Sequence, residues 1–254
     1  MNNFKILFLY MPIPKIVHQT HPTCVLPKPA MMVRKNMQYL NPEYKFVLYD
    51  DNEIDNFMKT FFSGEVYECF SALKVGAAKA DLWRYCILYH VGGIYLDIDS
   101  RIIDNIDSLI SKDDKCIITR EKQPSKFNQW ILIFEKNHPI MKRTIEICCE
   151  NIKLRKKGSI INITGPGVYT NAINDILLDY VNKYPIHNYK TLYDISDETI
   201  NKLSEQEDFP AKCKFYGIDI EPYARFKYPG FMELYECEKD NTILHWAKQK
   251  SVYK

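Results

Sequence analysis

The sequence has no apolar stretch long enough to cross a membrane. Its most apolar opening segment, residues 4–11, is far shorter than the roughly 20 residues that a spanning helix needs, and Pro12 and Pro14 end it. No small-residue cleavage site follows, so a secretory signal is not indicated. We expect a buried first strand or a flexible leader there, in a protein that is cytoplasmic or peripheral at a membrane face.

A strong excess of one charge is also missing. The formal net charge is +2, which is too small to favour a nucleic-acid partner. The one short basic run, within residues 153–157, is typical of a solvated helix end. We therefore expect no nucleic acid among the partners.

The cysteines have no regular spacing. The sequence contains eight of them and no CxxC pair, and Cys148 is adjacent to Cys149. Neither a structural zinc site nor a disulfide framework is indicated. Reduced, partly buried thiols are the simpler expectation.

The apolar pattern predicts strands that alternate with helices. The predicted strands are residues 15–20, 44–49, 94–99, 116–119, 130–134 and 160–164, and the predicted helices are residues 30–39, 53–62, 71–91, 138–154 and 168–181. This alternation favours an α/β fold with a mostly parallel sheet covered on both faces. With 254 residues and no internal repeat, we expect a single domain over residues 1–254, with a helical or loop insertion around residues 138–210.

Two acidic pairs stand next to predicted elements. Asp50 and Asp51 directly precede a predicted helix, where they are expected to cap its amino end, with metal binding as the alternative. Asp97 and Asp99 lie on a predicted strand, on the same face as Tyr95, because successive side chains alternate between faces. Carboxylates at the carboxyl end of such a strand suit Mg²⁺ or Mn²⁺.

The alternative for Asp97 and Asp99 is a solvated strand face, since exposed aspartates are common. The bulky apolar neighbours instead indicate a central strand, where two carboxylates need a cation or another partner. Upstream, Asp81 and Arg84 share a helix face, either as a simple ion pair or as a clamp that reaches the same pocket.

Three ordered blocks resemble glycosyltransferase family 32, the DXD sugar-binding glycosyltransferases. That family includes yeast initiating α-1,6-mannosyltransferases and the catalytic domains of clostridial glucosylating toxins. The blocks are residues 13–20 (IPKIVHQT), residues 80–85 (ADLWRY) and residues 92–99 (GGIYLDID). Weaker similarity follows at Asn128, at residues 164–167 and at the carboxyl terminus.

The resemblance implies a GT-A glycosyltransferase fold, which is a Rossmann-like, mostly parallel central sheet flanked by helices. It also implies a nucleotide-sugar donor, Mn²⁺ or Mg²⁺, and transfer to a glycan or protein-linked acceptor with retention of the anomeric configuration. A UDP-sugar is the favoured donor, and GDP-mannose is the alternative.

The resemblance also implies residue roles. Asp99 would ligate the metal, while Asp97 would contact the ribose and the donor sugar and assist at the metal. Asp81 and Arg84 would hold the donor-sugar hydroxyls and the region of the glycosidic oxygen.

Further roles are implied for the nucleoside and phosphate ends of the donor. Ile16, His18 and Gln19 would line the nucleoside pocket, with Tyr85 nearby. At the carboxyl terminus, Ser251 and Tyr253 would contact phosphate, although valine follows the serine where many members have tryptophan.

Three assignments keep an ordinary alternative. His245 would be a metal ligand or a packed structural histidine. Asn128 and Gln129 would hydrogen-bond to sugar hydroxyls or would simply be polar residues of a turn. Gly165 would line the sugar site or belong to a tight turn.

Two other classes of protein remain open from the sequence. A metal-dependent phosphodiesterase or nuclease also uses clustered carboxylates, but a second cluster of metal ligands is missing. A catalytically silent sugar-nucleotide-binding module is the other alternative.

Overall fold

The structure analysed is a computed structural model. It describes residues 12–102, 105–119, 127–181, 218–221 and 251–254. The predicted first strand or leader at residues 4–11, the polar part of the expected insertion at residues 194–208, and His245 lie outside the described residues.

Among the described residues, six strands form one central sheet. In chain order they are β1 (Ile16–Thr20), β2 (Lys45–Tyr49), β3 (Gly93–Leu96), β4 (Cys116–Thr119), β5 (Ile131–Phe134) and β6 (Ile218–Glu221). Their spatial order is β2-β1-β3-β5-β4-β6. Because β5 is antiparallel to both of its neighbours and the other pairs are parallel, the prediction of a mostly parallel sheet is confirmed.

Helices flank this sheet. In chain order they are α1 (Lys28–Leu40), α2 (Asp51–Phe61), α3 (Glu65–Ala72), α4 (Gly76–His90), α5 (Pro139–Lys153), α6 (Ile160–Ile163) and α7 (Pro166–Val181). None of the helices in the described ranges is both long and apolar enough to span a bilayer.

Two predicted elements differ from the observed ones. The predicted helix over residues 71–91 is interrupted, because Leu73 adopts an extended conformation and forms a bridge with Tyr253, which leaves α3 and α4 as separate helices. The predicted strand over residues 160–164 is wrong, since α6 forms there and buries Ile160 and Ile163, which are three residues apart on one helix face. A short apolar run does not distinguish a strand from a buried helical turn.

Strands β3, β4 and β5 are buried on both faces. Ile94 and Leu96 pack in the apolar cluster that includes Met37 of α1. Tyr95 packs in the cluster on the other face, with Trp83 of α4. Burial on both faces explains why these strands are continuous apolar runs, and the predicted alternation along β3 is confirmed.

The Gly92-Gly93 pair allows β3 to lie close to β1. Both residues have positive φ angles, 78° and 103°, which favour glycine. A Cβ atom on Gly93 would lie 2.6 Å from the carbonyl oxygen of Ile16. The pairing aligns β1 with β3, so the carboxyl ends of both strands meet at the edge where the acidic motif begins.

Capping accounts for the first acidic pair. Asp50 Oδ1 accepts hydrogen bonds from the backbone N–H groups of Asn52 and Glu53, each at 2.9 Å. The Glu53 carboxylate accepts in return from the Asp50 N–H at 2.9 Å, which completes a capping box. The predicted helix cap at Asp50 is therefore confirmed.

The thiols in the described ranges are unpaired with one another. Cys24 is exposed, and Cys69, Cys86, Cys148 and Cys149 are buried thiols that form no disulfide with one another. The expectation of reduced thiols is confirmed for these residues.

Candidate active site

The acidic motif lies at the carboxyl edge of β3. The strand ends at Leu96, and Asp97 begins a turn in which the Ser100 N–H donates to the Asp97 carbonyl oxygen at 3.0 Å. The prediction of a strand that continues to Asp99 is therefore wrong. The turn leaves the side chains of Asp97 and Asp99 partly exposed at the end of the sheet.

Arg84 connects α4 with this turn. Its Nη1 lies 3.3 Å from Asp97 Oδ1 and donates to the Gln129 carbonyl oxygen at 3.1 Å. Its Nη2 lies 3.4 Å from Asp81 Oδ1, and the guanidinium stacks on the Tyr95 ring at 4.4 Å. Arg84 therefore does more than form an intrahelical pair with Asp81.

The energetic cost of burying the Arg84 charge is offset by the groups around it. Its side chain is 9% exposed. Burial alone would lower the pKa of Arg84, but Tyr95, Asp97 and Asp81 together raise that pKa above its ordinary value. The guanidinium therefore stays protonated at every pH at which the protein is folded.

Asp97 has one oxygen held by the protein. Its Oδ1 accepts from the Tyr95 hydroxyl at 2.6 Å and faces Arg84. Within the described part of the chain, Oδ2 accepts no protein hydrogen bond, and the side chain is 30% exposed. Asp99 follows, with the Ser100 hydroxyl donating to its Oδ1 at 3.4 Å.

Asp81 is the buried carboxylate of the site. Its Oδ1 accepts from Gln129 Nε2 at 3.1 Å, and its Oδ2 accepts from the Thr164 hydroxyl at 3.0 Å. Burial raises the pKa of Asp81 to about 6, although Arg84 and these two hydrogen bonds act in the opposite direction. The carboxylate is thus fixed in place and holds a proton more tightly than an exposed aspartate does.

The residues predicted to line the nucleoside pocket take different places. Ile16 lies at the amino end of β1, away from the acidic edge. His18 points into the core, where its Nε2 donates to the Gly92 carbonyl oxygen at 3.0 Å and its Nδ1 accepts from the Tyr49 hydroxyl at 3.1 Å. Burial lowers the pKa of His18 to about 4, so the ring is neutral at pH 7.

Gln19 differs from its neighbours because its polar atoms have no partner among the described residues. The residue is fully buried, and within the described ranges neither its Oε1 nor its Nε2 forms a hydrogen bond. A buried amide without partners is costly unless a ligand or water satisfies it. Among the residues predicted to line the nucleoside pocket, Gln19 therefore has the side chain that is suited to contact a ligand.

Tyr85 and the predicted sugar residues lie around Asp81. The Tyr85 hydroxyl donates to the Thr164 carbonyl oxygen at 3.0 Å and contacts the Gln129 amide. Gly165 follows Thr164 in the turn between α6 and α7. Asn128 is buried beside Gln129, and its N–H donates to the Thr119 carbonyl oxygen at 2.7 Å.

The carboxyl-terminal residues lie beside the α3–α4 junction. The Lys74 N–H donates to the Val252 carbonyl oxygen at 2.8 Å. The Tyr253 hydroxyl lies 3.2 Å from the Asn151 carbonyl oxygen, and the Ser251 hydroxyl lies 3.1 Å from the Tyr253 carbonyl oxygen. The structure thus brings Asp81, Arg84, Asp97 and Gln129 together, while these terminal hydroxyls contact backbone groups.

Two contributors were not among the predicted site residues. Tyr95 supports Arg84 and donates to Asp97, and its position two residues before Asp97 on one strand face was a usable signal. Thr164 donates to Asp81 from a distant turn; the weaker family similarity at residues 164–167 includes it, but no pattern in the sequence connects it with Asp81.

The sheet order, the acidic turn at the end of β3 and the buried Asp81–Arg84 pair together define an α/β fold of the glycosyltransferase type. The solved structure of PaToxG Glycosyltransferase shares this fold, with a TM-score of 0.58 and 21% identity over 67% of this chain and 72% of that one. The predicted fold class is confirmed.

Comparison of the sequence with known proteins also indicates similarity to glycosyltransferases. Residues 27–115 match the family model for the glycosyltransferase sugar-binding region containing a DXD motif. Inositol phosphoceramide mannosyltransferase 3 of Schizosaccharomyces pombe is 31% identical over 133 residues, which are 52% of this chain and 36% of that protein. The initiation-specific alpha-1,6-mannosyltransferase of Candida albicans is 25% identical over 211 residues, covering 67% of this chain and 54% of that protein.

The predicted resemblance to DXD sugar-binding glycosyltransferases is confirmed by these matches, and they support a glycosyltransferase enzyme. The matches span about half of the curated relatives or less, 54% and 36% of their lengths.

Proposed function

We propose that this protein transfers a sugar from a nucleotide-sugar donor to a glycan or protein-linked acceptor, with the help of a divalent cation. The observation that carries the proposal is the placement of Asp81, Arg84 and Asp97 in one network next to the partly exposed Asp99. The family match over residues 27–115 includes all of these residues.

Local charge supports a divalent cation. Asp81 and Asp97 both lie within 3.4 Å of the Arg84 guanidinium, so two carboxylates share this guanidinium, and Asp99 follows on the same turn. Asp97 Oδ2 has no protein partner in the described ranges, and carboxylate oxygens are the preferred ligands of Mg²⁺ and Mn²⁺. These residues therefore fit such an ion.

In our proposal Asp97 and Asp99 hold the cation, and His245, which lies outside the described residues, is a third ligand. When bound, the cation would neutralise charge on the leaving diphosphate. Arg84 lies beside the same position and would stabilise developing negative charge there electrostatically. Asp81 would accept hydrogen bonds from donor-sugar hydroxyls.

The buried amide of Gln19 is our proposed contact for the nucleoside. It can donate through Nε2 and accept through Oε1, which matches the edge of a nucleobase that carries both kinds of group. A bound base would satisfy both unpaired atoms. His18, with both ring nitrogens used, would support this strand and leave ligand contact to Gln19.

We propose that transfer retains the anomeric configuration. The bond between the anomeric carbon and the phosphate oxygen breaks, the acceptor oxygen bonds to the same face, and the leaving phosphate oxygen takes the acceptor proton. No side chain in the described site is placed as an obvious nucleophile, so a covalent intermediate has no support.

The names of the relatives favour mannose as the transferred sugar. Inositol phosphoceramide mannosyltransferase and alpha-1,6-mannosyltransferase are both mannosyltransferases. We therefore place GDP-mannose ahead of UDP-sugars, contrary to the sequence-based preference for UDP. The first assay should measure GDP-mannose hydrolysis and transfer with and without Mn²⁺, followed by UDP-hexoses.

The test of the site is Asp99→Asn. We expect it to abolish Mn²⁺-dependent donor hydrolysis and transfer while the circular dichroism spectrum is unchanged, because Asp99 lies on a partly exposed turn. The matched control is Asp113→Asn, which removes the same charge from an exposed position and should leave activity intact. Full activity in Asp99→Asn would overturn the proposed cation site.

The stereochemistry needs its own measurement. Proton NMR of the product should give the anomeric configuration of the donor sugar. Inversion would refute the retaining mechanism and leave sugar transfer itself intact. Binding of donor without turnover for any acceptor would instead indicate a silent binding module.

A further inference from the structure

Thr164 occupies an unusual place for a buried hydroxyl. It is the residue that ends α6, and it is fully buried. Its Oγ1 donates to Asp81 Oδ2 at 3.0 Å, although the two residues are 83 positions apart in the chain. The hydroxyl thus joins the turn between α6 and α7 to the buried carboxylate on α4.

The backbone around Thr164 is held in place. Its carbonyl oxygen accepts from the Tyr85 hydroxyl at 3.0 Å and from the Cys148 thiol at 3.8 Å. The Gly165 N–H donates to the Ile160 carbonyl oxygen at 2.8 Å, and a Cβ atom at Gly165 would lie 2.9 Å from Ile161 Cα. The position of the hydroxyl is therefore set by the packing of the whole turn.

The two oxygens of Asp81 are held from opposite sides. Oδ1 faces Gln129 Nε2 at 3.1 Å and Arg84 Nη2 at 3.4 Å, whereas Thr164 is the donor to Oδ2. Without that donor, Oδ2 would be buried and unsatisfied, and the carboxylate could turn away from its present plane to find another partner.

We propose that Thr164 is a positioning residue for Asp81: its hydroxyl fixes the orientation of the carboxylate that contacts the donor sugar. This inference rests on the proposed function, because that function gives Asp81 its contact with the sugar. Thr164 itself acts through Asp81, and small errors of orientation at such a contact reduce catalysis strongly.

The chain offers a matched comparison for this hydroxyl. Thr144 is also fully buried, but its hydroxyl donates to the Ile140 carbonyl oxygen of its own helix at 2.7 Å. Valine has nearly the shape of threonine and lacks the O–H group. Thr164→Val and Thr144→Val therefore remove the same group from two buried sites, and one of the two groups contacts Asp81.

The experiment compares Thr164→Val, Thr164→Ser and Thr144→Val in the full chain. We expect kcat for Mn²⁺-dependent donor hydrolysis to fall roughly 10- to 100-fold in Thr164→Val, as for the loss of a hydrogen bond to a charged group. Thr164→Ser keeps the hydroxyl and should recover most of the rate. Thr144→Val should keep the wild-type rate.

A binding measurement separates positioning from general damage. The nucleoside diphosphates GDP and UDP, which lack the sugar to be transferred, are titrated into each variant with Mn²⁺ by calorimetry, and the Kd of whichever nucleotide the wild type binds is compared. We expect no change in Kd for Thr164→Val, because this nucleotide lacks the donor sugar that Asp81 would contact. If Thr164→Val does not fold, Thr164→Ala gives the same comparison without the extra methyl groups.

The inference is overturned if Thr164→Val turns over donor at the wild-type rate, if serine fails to recover the rate, or if nucleotide binding weakens in parallel with kcat. Failure of the proposed function has a different signature, since the wild type would then hydrolyse no nucleotide sugar. In that case no variant would show turnover, whether or not GDP or UDP binds.

Discussion

Replacement of Asp81 by asparagine should change how the stability of the protein depends on pH. Burial raises the pKa of Asp81 to about 6 in the folded state, against an ordinary value of 3.8. The folded protein therefore binds this proton more tightly than the unfolded chain does. The resulting stabilisation is complete below pH 4 and is lost as the pH rises through 6.

The size of the effect follows from the two pKa values. One pKa unit corresponds to about 1.4 kcal/mol, so a rise from 3.8 to about 6 corresponds to about 3 kcal/mol. The wild type should lose about this much free energy of unfolding, from this group, between pH 4 and pH 7. Asparagine does not titrate, so the variant has no such loss.

Two buried histidines have the opposite effect on how stability depends on pH, in the wild type and in Asp81→Asn alike. Burial lowers the pKa of His18 to about 4 and that of His138 to about 3. Their contribution to stability is present above pH 6.5 and is lost as the pH falls through these lowered values. Because both proteins contain them, they cancel in the difference between wild type and Asp81→Asn.

The assay is urea unfolding followed by tryptophan fluorescence between pH 4.5 and 7.5. Trp83 is a suitable reporter, since it is buried next to Tyr95. We expect Asp81→Asn to gain about 2 kcal/mol relative to the wild type across this range, because part of the effect lies below pH 4.5, and Thr144→Val to run parallel to the wild type. Parallel curves for Asp81→Asn and wild type would refute the elevated pKa.

Three other predictions concern the network, the β1–β3 contact and the helix cap. Arg84→Lys should lower kcat for donor hydrolysis at least tenfold with an unchanged circular dichroism spectrum, because an ammonium group does not reproduce the guanidinium fork; wild-type kinetics would contradict this. Gly93→Ala should destabilise the protein by about 3 kcal/mol or more in urea unfolding, since φ is positive and the new Cβ would lie 2.6 Å from the Ile16 carbonyl oxygen; an unchanged midpoint would contradict the close approach. Asp50→Ala should lower the free energy of unfolding by about 1 kcal/mol through loss of the capping box and leave donor turnover intact, whereas lost turnover would indicate a role beyond capping.

Local patterns in the sequence predict the parts of the site that lie on one element. The predicted alternation places Tyr95 and Asp97 on one side, and they do hydrogen-bond, although β3 ends at Leu96, directly before Asp97. The three-residue spacing of Asp81 and Arg84 likewise predicts their contact on α4. Both inferences work because the geometry of a strand or helix fixes neighbours at short range.

The rest of the site depends on contacts between distant segments. Gln129 reaches Asp81 across 48 residues and Thr164 reaches it across 83, and a single sequence contains no signal for such a pair. The strand predicted over residues 160–164 is a helical turn in the structure, and Thr164 ends that turn. The helix cap at Asp50, in contrast, is local and is predicted from the sequence, whereas the return hydrogen bond to the Glu53 carboxylate is seen only in the structure.

The buried charges support the proposed function of this site. Asp81 and Arg84 have side chains that are only 8% and 9% exposed. The hydrogen bonds that these charges make within the protein must replace the contacts with water that they lose on burial. Such a pair is weak support for stability, since apolar residues of similar volume are often as stable or more stable. The arrangement is explained more simply by chemistry at the edge of β3, where Arg84 joins the buried Asp81 to the partly exposed Asp97. A fold selected for stability alone would have no need for a fixed guanidinium at that position.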